Sequence, residues 1–121
     1  MDKKHILIVD DDARNIYALT ATLHAKGFSC QSCMSGEEAL ELLSSDVVYD
    51  AVLLDMMMPE MDGYETIPIL RSMPHRKDIL VIAVTAQAMK GDKEKCLKAG
   101  ADEYLPKPVD VDRLLQMLRE I

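Results

Sequence analysis

Short apolar runs alternate with amphipathic helical stretches five times along this 121-residue chain, and no linker or shift in composition interrupts the alternation. The first run is His5 to Val9. The helix predicted after it, about Ala13 to Lys26, puts Ile16, Leu19 and Leu23 on one face and stops at Gly27, a residue suited to a left-handed cap. Phe28 to Cys33 reads as the second strand. Ser35, with Glu38 three residues on, forms a capping box that opens a helix through Ala39, Leu40 and Leu43. Ala51 to Leu54 is the third strand. The loop from Asp55 to Asp62 leads into a helix over Gly63 to Ser72, where Pro68 removes one backbone donor and favours a kink. Ile79 to Val84 is the fourth strand, a helix from Ala88 to Lys98 ends before Gly100, and Glu103 to Leu105 is a short fifth strand. The last helix, Asp110 to Arg119, buries Leu114, Leu118 and Ile121, with Leu115 and Met117 nearby.

Strands separated by helices of this length run parallel, and right-handed crossovers distribute the helices over both faces of the sheet. The expected fold is therefore a single α/β domain: a doubly wound, five-stranded parallel sheet with five helices. The first, third and fourth strands are apolar on both faces and belong in the centre, whereas the second is mixed and the fifth short. Edges at strands two and five give the order 2-1-3-4-5, which is flavodoxin-like.

Composition narrows the function classes. With 49% apolar and 29% charged residues the chain can build an ordinary core, and a domain of this size buries roughly two-thirds of its unfolded surface. A net charge of −7 repels nucleic-acid phosphates and anionic membranes. No apolar run approaches the ~18 residues of a membrane span, and the amino terminus does not read as a signal peptide, so the expected compartment is the cytoplasm. Cys30 and Cys33 have C-x-x-C spacing but lie within a strand and its exit, where small buried hydrophobes are the better account. His5, His24 and His75 form no ligand spacing.

Open parallel sheets bind ligands at the carboxyl ends of their strands, near the point where strand order reverses. The residues expected there are Asp10 and Asp11 after strand one, Asp55 after strand three, Thr85 after strand four and Lys107 beyond strand five. Taken singly, an acidic triplet in such a loop is a solvated turn or a helix cap. Together the carboxylates require a cation: two unit charges at 4 Å interact by about 4 kcal/mol at an effective dielectric of 20. Oxygen-only donors that leave room for water favour Mg²⁺ over zinc or copper, and Lys107 can neutralise an anion bound opposite.

Four segments carry a family resemblance: Ile8-Val9-Asp10-Asp11-Asp12, the run from Val52-Leu53-Leu54-Asp55-Met56-Met57-Met58-Pro59 to Glu60-Met61-Asp62-Gly63, Val84-Thr85-Ala86, and Tyr104-Leu105-Pro106-Lys107-Pro108. Over its whole length the chain resembles the receiver domains of two-component response regulators. The resemblance implies that Asp55 takes a phosphoryl group from a phosphohistidine on a histidine kinase or histidine phosphotransfer protein, so that the domain catalyses only its own modification and is no enzyme in the ordinary sense. It implies Mg²⁺ on Asp11, Asp55 and the backbone carbonyl of Met57, with Asp10 acting mainly through water. Lys107 and Thr85 are to hold phosphoryl oxygens, assisted by backbone N–H groups near Met57 and Ala86. Output is expected as a shift of Thr85 and Tyr104 that remodels the α4-β5-α5 face for a downstream effector or self-association. By itself Tyr104 reads as an edge-strand aromatic; only the resemblance makes it a switch residue. Lys107-Pro108 is expected to be cis. Met57 orients water poorly, so slow phosphoryl loss is expected, modulated also by Gln87.

Three other readings compete. A flavin carrier shares the strand order, but three aspartates would repel its phosphate. A haloacid-dehalogenase-like phosphatase carries its nucleophile after the first strand, with a second Asp two residues on. A receiver-shaped adaptor that is never phosphorylated would not need all five residues. Asp12-Ala13-Arg14-Asn15 resembles receivers fused to hybrid histidine kinases, which favours a piece of a longer protein over a stand-alone regulator.

Overall fold

A computed structural model describes residues 3–86 and 90–121. Five parallel strands, β1 (His5–Val9), β2 (Ser29–Cys33), β3 (Ala51–Asp55), β4 (Leu80–Thr85) and β5 (Glu103–Pro106), stand in the order β2-β1-β3-β4-β5. The helices between and after them are α1 (Ala13–Ala25), α2 (Gly36–Leu43), α3 (Gly63–Arg71), α4 (Asp92–Ala99) and α5 (Val111–Arg119).

The two-residue period of the strands divides the interior into two cores. Leu7, Val9, Val52, Leu54, Val81 and Ala83 face Ala39, Leu43, Ile67, Leu70 and Cys96 of α2, α3 and α4. Ile6, Ile8, Leu53, Ile82 and Val84 face Leu23 of α1 and Leu114, Leu115 and Leu118 of α5. The central strands β1, β3 and β4 are buried on both sides, as their unbroken apolar character requires. Each fully buried Leu or Ile contributes about 1.5–3 kcal/mol.

Local capping explains most helix starts. Asp12, Ser35, Asp62 and Asp110 accept from the amides of Arg14, Glu38, Glu65 and Asp112 at 2.9, 3.1, 3.0 and 3.0 Å. Gly27 closes α1 with φ +93°, as expected. Two expectations need correction. The helix α4 starts at Asp92, because Gly91 at φ +89° breaks the helical path through Lys90 and Gly91; the expected start at Ala88 falls outside the described residues. Ile121 is 39% exposed, since α5 ends at Arg119 and the helical period does not reach it, whereas Leu114 and Leu118 are buried as expected.

Cys30 and Cys33, an odd number of residues apart on β2, belong to opposite faces and to different cores, so they share neither a metal nor a disulfide. Burial, with a contribution from the Glu38 charge, pushes the Cys33 thiol up to about 11, which leaves it unreactive at neutral pH. No helix among the described residues is long and apolar enough to cross a membrane.

Candidate functional site

Strand register gathers the site. Val9 pairs with Leu54, Asp55 with Val84, and Thr85 with Pro106, so the strand ends deliver Asp10, Asp55, Thr85 and Lys107 to one edge. Two backbone bonds tie this edge together: Met56 N–H donates to Val84 O at 2.9 Å, and Lys107 N–H to Thr85 O at 2.8 Å. The Lys107–Pro108 peptide is cis.

Each carboxylate is oriented locally. Asp10 Oδ1 accepts from Asp12 N–H at 2.8 Å, and Asp55 Oδ1 accepts from Met57 N–H at 2.9 Å, which fixes the turn that carries Met57. Their other oxygens share one ammonium, with Lys107 Nζ at 3.2 Å from Asp10 Oδ2 and 3.3 Å from Asp55 Oδ2. Asp11 is exposed, yet it offers an oxygen to the same spot: Asp10, Asp11 and Asp55 each place a carboxylate oxygen within 4.8 Å of the others. Thr85 is fully buried at the end of β4. The cleft beside the carboxylates, about 240 Å³, is walled by Ile8, Leu19, Leu53 and Val84.

Electrostatics at this edge are strained. Burial raises the Asp55 carboxyl above the usual carboxylate range, Asp10 adds to the rise, and the Met57 amide and Lys107 oppose it. Burial also disfavours charge on Lys107, but Asp55 and Asp10 outweigh that effect and hold its ammonium above the usual lysine value. Three carboxylates against one lysine leave negative charge uncompensated. A hard divalent cation with oxygen ligands fits that donor set, and the exposure of Asp11 leaves one side open to water. Every sequence-predicted carboxylate, together with Lys107 and Thr85, therefore lies at this edge, while Tyr104 stands half-buried on β5. Gln87 lies outside the described residues.

Sequence reasoning missed several polar anchors. Arg71 donates to the carbonyls of Gly100 and Ile79 and pairs with Asp102 at 2.8 Å, joining α3 to the entry of β5. Arg76 is buried among carbonyls near the end of α2. Tyr64 on α3 meets Asp92 and Cys96 on α4, a contact hinted at only by their shared helical face.

The profile of the response regulator receiver domain matches residues 6–119. The chain belongs to this family. Its sequence is 38% identical over 113 residues to the signal transduction histidine-protein kinase BarA of Escherichia coli K12, a match covering 93% of this receiver and 12% of that protein. A receiver domain from a Pseudomonas aeruginosa sensor histidine kinase, solved with magnesium in its active-site cleft, superposes with a TM-score of 0.89 at 32% identity, covering 98% of this chain and 97% of that one. The receiver domain of a Saccharomyces cerevisiae response regulator, solved with a histidine phosphotransfer protein, superposes with a TM-score of 0.88 at 25% identity over 98% of this chain and 88% of that one. The receiver thus belongs to two-component phosphorelay signalling, and its sheet order is that of the family.

Proposed function

We propose that this receiver accepts a phosphoryl group on Asp55 from a phosphohistidine of a histidine kinase or histidine phosphotransfer protein, with Mg²⁺ held by Asp11, Asp55 and the Met57 carbonyl and by Asp10 mainly through water. The supporting observation is the single Lys107 ammonium between Asp10 and Asp55 inside a cluster of three carboxylates. Bound Mg²⁺ would offset the repulsion between carboxylate and phosphoryl oxygens and align the displacement. An Asp55 oxygen attacks phosphorus, the P–N bond breaks, and the imidazole nitrogen leaves with the electron pair. Lys107 turns from the carboxylates to a phosphoryl oxygen, the Thr85 hydroxyl takes another, and the amides near Met57 and Ala86 hold the rest. The receiver modifies only itself. The α4-β5-α5 face, which includes Tyr104 on β5, then meets an effector or a second copy, and the setting of this exchange is the cytoplasm.

Incubation with Mg²⁺ and acetyl phosphate tests this reading by intact mass. The native receiver should gain one phosphoryl group and Asp55→Asn none; a native chain of unchanged mass, or a gain that persists in the variant, overturns it. Magnesium at a hundred times its dissociation constant should add about 2.7 kcal/mol of stability, visible in thermal melts and reversed by a chelator. Asp10→Asn combined with Asp11→Asn should abolish that gain.

Met57, about half exposed beside the nucleophile, offers a thioether where a polar group could orient water. Met57→Asn should shorten the lifetime of phosphorylated Asp55 roughly tenfold. A lifetime equal to that of the native receiver counts against slow loss by this cause.

A further inference from the structure

Among the described residues, the first turn of α4 is the one helix start without a side-chain cap. A residue of another helix holds it instead. Tyr64 of α3 donates its hydroxyl to Asp92 Oδ1 at 3.4 Å, lies 3.6 Å from Cys96 Sγ, and receives Lys95 Nζ over its ring at 4.5 Å. Asp92, Lys95 and Cys96 are spaced i, i+3 and i+4, so one face of α4 is dedicated to this phenol.

The same carboxylate addresses Tyr104. Burial raises the Tyr104 phenol above its usual range, and the neighbouring Asp92 charge raises it further. Asp92 Oδ2 is nevertheless buried and lacks a hydrogen-bond partner among the described residues. A buried acceptor left open forfeits its hydration without compensation, and a tyrosine hydroxyl that rotates to it recovers much of that cost.

Tyr64 is also fixed from the phosphoacceptor side. Met56, next to Asp55, is fully buried, and its carbonyl accepts from Gly63 N–H at 3.3 Å. A Cβ at Gly63 would lie 2.3 Å from Met56 Sδ and 2.9 Å from Met56 Cα, so only glycine lets α3 press this closely on the residue after the nucleophile. Tyr64 follows directly.

We propose that Tyr64 and Asp92 form a latch that positions Tyr104 and connects the loop after Asp55 to β5 by a route independent of Thr85. One oxygen of Asp92 is held by Tyr64, and the other is the docking point for the Tyr104 hydroxyl. The latch rests on Asp55 being the phosphoacceptor. Asp92 and Tyr64 are positioning residues, since neither touches the reacting atoms.

The test uses the receiver labelled with 3-fluorotyrosine, its Tyr104 ¹⁹F resonance assigned through Tyr104→Phe, before and after Mg²⁺ with beryllium fluoride. The native Tyr104 resonance should shift on addition. Tyr64→Phe and Asp92→Ala should cut that shift to less than half, Asp92→Asn, which keeps an acceptor oxygen, should restore it, and Thr85→Ala should retain part of it. Asp92→Asn should also lower the pH at which Tyr104 ionises, a change that loss of packing alone would not give. Melting curves confirm that each variant is folded. A Tyr104 response of native size in both Tyr64→Phe and Asp92→Ala overturns the latch, as does a native receiver that gains phosphate by mass while Tyr104 stays unmoved. A receiver that gains no phosphate overturns the phosphoacceptor reading along with it.

Discussion

Lys107→Ala should slow phosphoryl gain on Asp55 by about 100-fold, the usual effect of removing one preorganised donor from developing negative charge. Among the described residues, Lys107 carries the only side-chain cation within ion-pair distance of Asp10 and Asp55. Its loss takes away the proposed phosphoryl contact and leaves two buried carboxylates facing each other. Lys107 lowers the Asp55 carboxyl against the effect of burial, so without it that carboxyl rises further. The sign of the stability change follows. The raised ammonium of Lys107 contributes stability that is fully present below its unfolded value near 10.5 and is lost as pH rises through the higher folded value. At neutral pH the whole contribution is therefore present to be lost, and the metal-free variant should unfold at lower urea than the native receiver. Lys107→Arg keeps the charge but presents a planar fork, and should recover less than the full rate. Timed intact-mass measurements with acetyl phosphate decide the matter. An alanine variant within threefold of the native rate would show that the ammonium is dispensable.

The edge that holds Lys107 was legible because the signals that place it are local. Strand order follows from which runs are apolar on both faces, and strand order alone brings residues from β1, β3, β4 and β5 to one end of the sheet. Capping residues such as Ser35 and Gly27 act within a few residues of their own position, and they appear where expected. The failures share a different cause. Gly91 ends the helical path through a positive φ, a choice that a run of good helix formers conceals. Ile121 continues the spacing of Leu114 and Leu118, but α5 has already ended at its Glu120 cap. Tyr64 and Asp92 meet across 28 residues of sequence, and Arg71 reaches Gly100 across 29, so no local pattern marks either contact. Periodicity shows which face of an element is buried and is silent on which polar group waits opposite.

Arg76 is the strongest case of such a contact, and Arg76→Ala should destabilise the receiver by about 3 kcal/mol, a large part of the 5–15 kcal/mol typical of a domain. By composition an arginine between α3 and β4 reads as solvated, yet only 5% of it is exposed. Its Nε donates to Leu43 O at 2.9 Å and its Nη2 to Ser45 O at 3.1 Å and to Val47 O, while the guanidinium lies 5.2 Å from the centre of the Tyr49 ring. Leu43 closes α2, so its carbonyl is one of the four that every helix leaves without an internal partner. Alanine would strand the Ser45 and Val47 carbonyls, leave Leu43 O with only His75 Nε2 at 2.9 Å, and open a gap beneath Tyr49. Each buried carbonyl left open costs about 1–3 kcal/mol, and the total stays below the sum because Ser45 and Val47 lie near enough to solvent to recruit water. Lysine cannot donate in three directions from one plane, so Arg76→Lys should recover little. Urea unfolding gives the measurement, with an unchanged slope marking a pure loss of stability. The segment containing Arg76 enters β4, at the opposite end of that strand from Thr85, so the rate of phosphoryl gain per folded molecule should not change. A loss under about 1 kcal/mol would mean that water replaces the guanidinium at all three carbonyls, and a slowed reaction in a fully folded variant would mean that the two ends of the sheet are coupled.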